Sequence, residues 1–174
     1  MNPKQLVKMV MQNWKDYKTF RRRRSLRLPD FDYSQPYRCY HVIIGTYKGK
    51  KLFKNPALND TVITTLRTVA QRYGYGIIAF CLMPDHLHVL VQAKENCQSL
   101  ERFIGALKSV TTRHYWRHGG QGKLWQRGFY EHIVRRDEDL ATISDYIMTN
   151  PVRSGLVEEL EEYPWLGQWD EPIV

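Results

Sequence analysis

Apolar residues along this chain change their spacing several times, and each change marks an element. Residues 3–20 set Leu6, Met9, Val10 and Trp14 at helical intervals, which predicts a short amphipathic helix running into the basic stretch "RRRRSLRL". "PDFDYSQP" then suits a linker, because its prolines and aspartates leave little backbone for regular pairing. Between 37 and 47, "YRCYHVIIGTY" is β-branched and aromatic and predicts a strand, with "KGKKLF" as a turn and a short return strand. "PALNDTVITTLRTVAQRYG" carries Val62, Leu66 and Ala70 on one helical face, Asn and Asp near its start and Gly74 just past its end. "YGIIAFCLM" and "HLHVLVQ" predict two strands joined tightly at Met83, Pro84 and Asp85. A second long helix is predicted from Ser99 to Gly119 and Gly120, then a strand in "LWQRGFYEHIVR". A third helix follows in "DEDLATISDYIMTNP", with acids in its first turn and Pro151 as its stop.

The order of the first six globular elements is βαββαβ. That order predicts an α+β, ferredoxin-like fold: one antiparallel sheet with two helices on one face, followed by a C-terminal helix. The organisation expected is a basic N-terminal helical extension and linker over 1–36 and a folded domain over 37–174.

At 174 residues the chain is long enough to bury a core without disulfides or metal staples. Cys39, Cys81 and Cys97 are odd in number and lack CxxC spacing, which fits a reducing compartment. No apolar run approaches the roughly 20 residues of a membrane span, and the charged N-terminus lacks a secretory apolar core. A soluble, cytoplasmic protein with no membrane contact is expected. Charge adds more. Residues 1–28 hold nine basic side chains against Asp16, which accounts for the whole formal net charge of +8. A basic arm on a balanced domain suits a phosphate backbone, whose counterions it would release.

Candidate chemistry lies in "PDHLH". On a strand, His86, His88 and Leu90 share one face while Leu87, Val89 and Val91 share the other, so the imidazoles point away from the helix-covered core. They are either a pair able to hold one divalent ion or two surface histidines on a half-exposed strand. Two ligands rarely suffice, and a third donor is available in "SDYIMTNP", where Tyr146 and Asn150 are four apart and share a helical face if the helix persists. Two imidazoles and a carboxamide leave open positions, better suited to orienting a phosphate through Mg²⁺ or Mn²⁺ than to a closed zinc site. Tyr146 is otherwise a core tyrosine with a satisfied hydroxyl.

"PDHLH", "LWQRGFYEHIVR" and "YIMTNPVRSGLV", in this order and at these intervals, resemble the REP-associated tyrosine transposases, a branch of the single-tyrosine HUH transposases. The resemblance runs from about Tyr37 to about Trp165. It implies that His86 and His88 bind a divalent metal, that Asn150 adds a ligand and that Tyr146, on a C-terminal catalytic helix, is the nucleophile. Tyr130 in "GFYEH" competes for that role but has no ligand at helical spacing. The activity implied is cleavage and rejoining of single-stranded DNA at REP-like hairpins through a 5′-phosphotyrosine.

Arg113, Arg117, Lys123, Arg127, Arg135 and Arg136, interleaved with Tyr115, Trp116, Trp125, Phe129 and Tyr130, are candidate contacts to phosphates and bases. Arg21, Arg22, Arg23 and Arg24 in the basic arm are candidates to grip a DNA hairpin. Trp125 suits stacking and core equally well. Beyond Trp165 little chain remains, so only a short C-terminal tail is expected. Monomer and homodimer are equally compatible with the sequence. Two other functions use the same residues: a metal-dependent hydrolytic nuclease with water in place of Tyr146, and a non-catalytic nucleic-acid-binding module of ferredoxin-like fold.

Overall fold

The computed structural model describes residues 36–134 and 139–173, together with Gln5, Lys8 and Gln12, which are helical. The remainder of the predicted N-terminal helix, the arginines Arg21, Arg22, Arg23 and Arg24, the linker, and Arg135 and Arg136 lie outside the described residues.

Five strands form one antiparallel sheet: β1 (Cys39–Gly45), β2 (Tyr75–Met83), β3 (His86–Ala93), β4 (Tyr130–Ile133) and β5 (Leu166–Gly167), in the order β4-β1-β3-β2-β5. The first four give the ferredoxin-like βαββαβ arrangement with helices α1 (Pro56–Tyr73) and α2 (Leu100–Arg117). Helix α1 begins where Asn55 accepts hydrogen bonds from the backbone of Ala57 and Leu58, and Pro56 occupies the first turn, where a missing N–H costs nothing. It stops at Gly74, whose φ of 78° is left-handed and whose added Cβ would stand 2.8 Å from Cys97 Cα. Leu58, Val62, Leu66, Phe103, Ile104 and Leu107 from these helices pack on Val42, Ile44, Leu87, Val89 and Val91 of the sheet. The strand alternation in β3 therefore falls as predicted.

Two predicted strands are shorter or absent, each for a backbone reason. After β1 the chain makes a 3₁₀ turn at Tyr47–Gly49, with Lys48 and Gly49 at positive φ, and then runs extended into α1 without pairing as a return strand. The segment ahead of β4 meets the end of β1 through a Thr46–Trp125 bridge, with Gln126 N donating to Gly45 O and Tyr47 N to Leu124 O. Gly122 and Gly128 have positive φ, and the Lys108 ammonium donates to the carbonyls of Gln126 and Gly128, so those carbonyls face a helix instead of a neighbouring strand.

A third helix, α3 (Leu140–Met148), lies on the second face of the sheet. Its Ile143, Tyr146 and Ile147 pack with Cys39, Ile78, Ala79, Cys81, Met83 and Leu90. Pro151 does not end this helical stretch. Thr149 stays near helical angles and Asn150–Arg153 adds a further turn, α4, with Pro151 in its first turn. The chain then returns beside β2: Tyr163 donates to Leu82 O, Leu82 N donates to Trp165 O, and Asp170 accepts from Ile77 N. Among the described residues no helix is long and apolar enough to cross a membrane.

Candidate active site

His86 and His88 stand on the α3 side of β3. Each strand position sets its neighbours: His86 lies opposite Gly45 and Met83, and His88 opposite Ile43 and Cys81. The imidazoles turn away from the two-helix core, as alternation predicts. That face is not open, however; α3 covers it and leaves His86 at 7% and His88 at 1% exposure. The sheet thus offers no bare platform at this position for bases to stack on.

The two rings converge, with Nε2 of His86 3.0 Å from Nε2 of His88 and ring centroids 4.7 Å apart. Nδ1 of His86 meets the Asp85 carboxylate at 2.5 Å. A third histidine, His41 on β1, lies side by side with His88, the ring planes 21° apart and the centroids 5.3 Å apart, and brings its Nε2 within 3.1 Å of His88 Nδ1. Complete burial, with a smaller contribution from nearby His132, lowers the His41 pKa to about 3, so it is a neutral ring. Its Nδ1 is buried with no partner among the described residues.

Tyr146 approaches this cluster from α3. Asp139 starts the helix by accepting from Ala141 N and Thr142 Oγ1, while the other predicted first-turn acids, Asp137 and Glu138, lie outside the described residues. The Tyr146 ring is 5% exposed and meets His88 edge-on at 6.0 Å and His41 at 6.3 Å. Burial raises the pKa of its phenol; the positive charge of Arg153 and the nearby carboxamide of Asn150 pull it back down. The Arg153 guanidinium sits over the ring at 4.5 Å. Asn150 thus shares the Tyr146 face, as its spacing predicts.

The donor set fits a divalent ion. Two nitrogens bonded at about 2.1 Å to one ion on adjacent octahedral positions stand about 3.0 Å apart, which is the separation of the two Nε2 atoms. Among the described residues no group of three His, Cys, Asp or Glu side chains is placed to hold a metal, so a third donor among them is of another kind. Asn150 is of that kind. Its Nδ2 is buried without a hydrogen-bond partner, and a half-turn of the carboxamide exchanges nitrogen for an oxygen donor.

The remaining candidates divide. Arg113, Arg117, Lys123 and Arg127 are all exposed. Trp116 is 52% exposed at the end of α2. Trp125 is core: it is buried, packs on Phe53 and donates to Thr111 Oγ1. Tyr130 is buried against Ile43. Neither of these two is available to stack on a base. Cys39 and Cys81 are filler, their thiols pushed by burial up to about 11 and about 12.

Sequence reasoning missed His41 and Arg153. Both left a signal: His41 interrupts an apolar strand on the same alternation as Cys39 and Ile43, and Arg153 follows Tyr146 by seven residues, two helical turns on. It also passed over the lysines of the turn after β1. Lys48 and Lys123 lie 5.4 and 5.5 Å from the Tyr47 ring, and Thr46 N donates to Asp85 O, which ties this basic turn to the histidine strand.

Comparison with known proteins adds a family to the geometry. The family described as "Transposase IS200 like" has a model that matches residues 35–150. A Haemophilus influenzae protein assigned as a REP-associated tyrosine transposase is 35% identical over 112 residues, which cover 57% of this chain and 62% of that protein. This chain therefore spans less than two thirds of that relative's length. The Escherichia coli K12 REP-associated tyrosine transposase is 27% identical over 135 residues, covering 74% of this chain and 79% of that one. A solved structure of a REP-associated tyrosine transposase bound to a REP hairpin superposes with a TM-score of 0.65 over 80% of this chain and 82% of that chain, at 20% identity, a likeness of fold.

Proposed function

Because this chain belongs to the IS200-like transposase family, we propose that it cuts and rejoins single-stranded DNA at REP-like hairpins, with Tyr146 as nucleophile. The observation that carries this reading is the meeting of Tyr146 with His88, ring centroids 6.0 Å apart, beneath a helix that also brings Asn150 to the phenol. A hairpin substrate is supported by the similarity to the relatives named above and by the exposed basic residues Arg113, Arg117, Lys123 and Arg127.

His86 and His88, with Asn150 as a further donor, would hold Mg²⁺ or Mn²⁺. Such an ion, when bound, supplies Lewis-acid polarisation of a non-bridging phosphate oxygen. Arg153 favours the phenolate of Tyr146 against the effect of burial. The phenolate oxygen attacks phosphorus, the bond from phosphorus to the 3′ oxygen breaks, and that oxygen leaves as a 3′-hydroxyl after taking a proton. Phosphorus remains joined to the 5′ oxygen of the downstream strand and to Tyr146. The new ester conserves the energy of the phosphodiester, so a 3′-hydroxyl attacking it restores both DNA and tyrosine without ATP. Packing by α3 keeps bulk water from competing with that hydroxyl.

The test is incubation of the full chain with labelled single-stranded hairpin DNA and Mn²⁺, read on a denaturing gel beside Tyr146→Phe. A covalent protein–DNA band that the variant lacks is the expected outcome. Cleavage without an adduct would show a hydrolytic nuclease, and metal-independent binding without cleavage would show a binding module.

A further inference from the structure

Asp85, His86, His88 and His41 form an unbroken line of contacts: Asp85 Oδ1 to His86 Nδ1 at 2.5 Å, His86 Nε2 to His88 Nε2 at 3.0 Å, and His88 Nδ1 to His41 Nε2 at 3.1 Å. A neutral imidazole carries one hydrogen, and the partners of each ring decide which nitrogen holds it. Asp85 only accepts, so the His86 hydrogen sits on Nδ1. His86 Nε2 is then a lone pair. Its contact with His88 Nε2 requires the His88 hydrogen on Nε2, which leaves His88 Nδ1 as an acceptor for His41 Nε2–H. The last atom, His41 Nδ1, becomes a lone pair. It is the atom with no partner among the described residues, and an unpartnered buried lone pair is tolerated more readily than an unpartnered N–H.

An ion shared by the two Nε2 atoms reverses this order. The His88 hydrogen must leave Nε2 for Nδ1, where it is donated to His41 Nε2, and the His41 hydrogen must then sit on Nδ1. We propose that His41 is a positioning residue whose tautomer switches together with that of His88 when the metal site fills. The inference rests on the reading of His86 and His88 as metal ligands. For neutral rings the switch gains and loses no proton, since each carries one hydrogen before and after. His41 would serve both states, as donor to His88 without the ion and as acceptor with it. A hydrogen-bond partner behind a metal-bound histidine typically contributes tenfold to a hundredfold to metal affinity.

The full chain, labelled with ¹⁵N in its histidines, is titrated with Mg²⁺ and followed through long-range couplings in the imidazole rings, with no DNA present. The expected result is that His41 and His88 both carry hydrogen on Nε2 without Mg²⁺ and both on Nδ1 with it, while His86 keeps its hydrogen on Nδ1 throughout. Response of His86 and His88 with His41 unchanged overturns the inference and leaves the metal site standing. His88 already protonated on Nδ1 before Mg²⁺ is added also overturns it. No response from any of the three rings overturns the metal site itself, and the inference with it. A second measurement uses His41→Phe, which keeps an aromatic ring but no nitrogen. Mn²⁺ affinity by calorimetry should fall about tenfold to a hundredfold with hairpin-DNA binding preserved, and unchanged affinity in a folded variant counts against the role.

Discussion

Removing Arg153 should slow attack by Tyr146 in a way that depends on pH. The guanidinium lies 4.5 Å from the centre of the tyrosine ring. With the ring centre as the seat of negative charge, that distance corresponds to about 0.9 kcal/mol in water and about 1.8 kcal/mol at twice the screening efficiency of a protein surface, an effective dielectric of about 40. Arg153 is solvent-exposed, so the water-like end of this range carries more weight. These energies translate to a loss of roughly 5-fold to 20-fold in the phenolate available at neutral pH. Burial holds the phenol above the ordinary tyrosine range, so the rate of adduct formation rises with pH, and loss of Arg153 moves that rise to higher pH. The assay is single-turnover adduct formation on saturating hairpin DNA from about pH 6.5 to about 9.5, comparing wild type, Arg153→Gln and Arg153→Lys. Arg153→Lys should keep most of the effect. Superimposable profiles for wild type and Arg153→Gln would refute the electrostatic role, and an equal loss at every pH would place Arg153 on the DNA phosphate instead.

Four other outcomes are expected. Chelation with EDTA abolishes adduct formation while hairpin-DNA binding, followed by gel shift, persists. Deleting residues 1–28 weakens hairpin binding and flattens its dependence on salt, because the arm holds nine basic side chains; an unchanged slope in a titration of affinity against salt would sink this role. Tyr163→Phe removes the buried hydrogen bond to Leu82 O and costs about 1–2 kcal/mol in urea denaturation. Burial lowers the pKa of Lys108 to about 8 from 10.5. The unfolded chain therefore holds a proton there that the folded chain lacks, and stability rises between those pH values; Lys108→Met should remove this rise in denaturation curves taken across the window.

Much of the fold was legible because its signals are local. Alternation in "HLHVLVQ" assigned each side chain of β3 to a face, and Gly74 marked the end of α1; its start was misplaced, because Asn59 and Asp60 lie inside the helix and Asn55, ahead of Pro56, caps it. What was not legible depends on distant partners. The residues from Tyr163 onward are held by Ile77, Leu82 and Gln92, whose backbone and side chains lie far away in sequence. Trp125 could not be assigned from its neighbours, since Thr111 and Phe53, which enclose it, come from other elements. At the site, the placement of His86 beside His88 on one strand face, and of Tyr146 and Asn150 four residues apart along one helical stretch, was visible through local spacing. His41 was not, because its relation to His88 arises from the pairing of β1 with β3, and a single histidine in an apolar strand does not disclose its partner. The closed state of the histidine face likewise depends on where α3 docks.

The return of the chain beside β2 also bears on self-association. An open sheet can extend into a second copy only along an unpaired outer strand. On the β2 side, Phe80 and Cys81 are already paired with Gly167 and Leu166, and farther along Ile77 N is taken by the Asp170 carboxylate while Ile77 O accepts from Asp170 N. A copy adding there would have to strip these bonds first. On the opposite side, β4 offers only the four residues Tyr130–Ile133. Among the described residues, then, neither margin gives a long free ladder along which a sheet could run from one copy into the next.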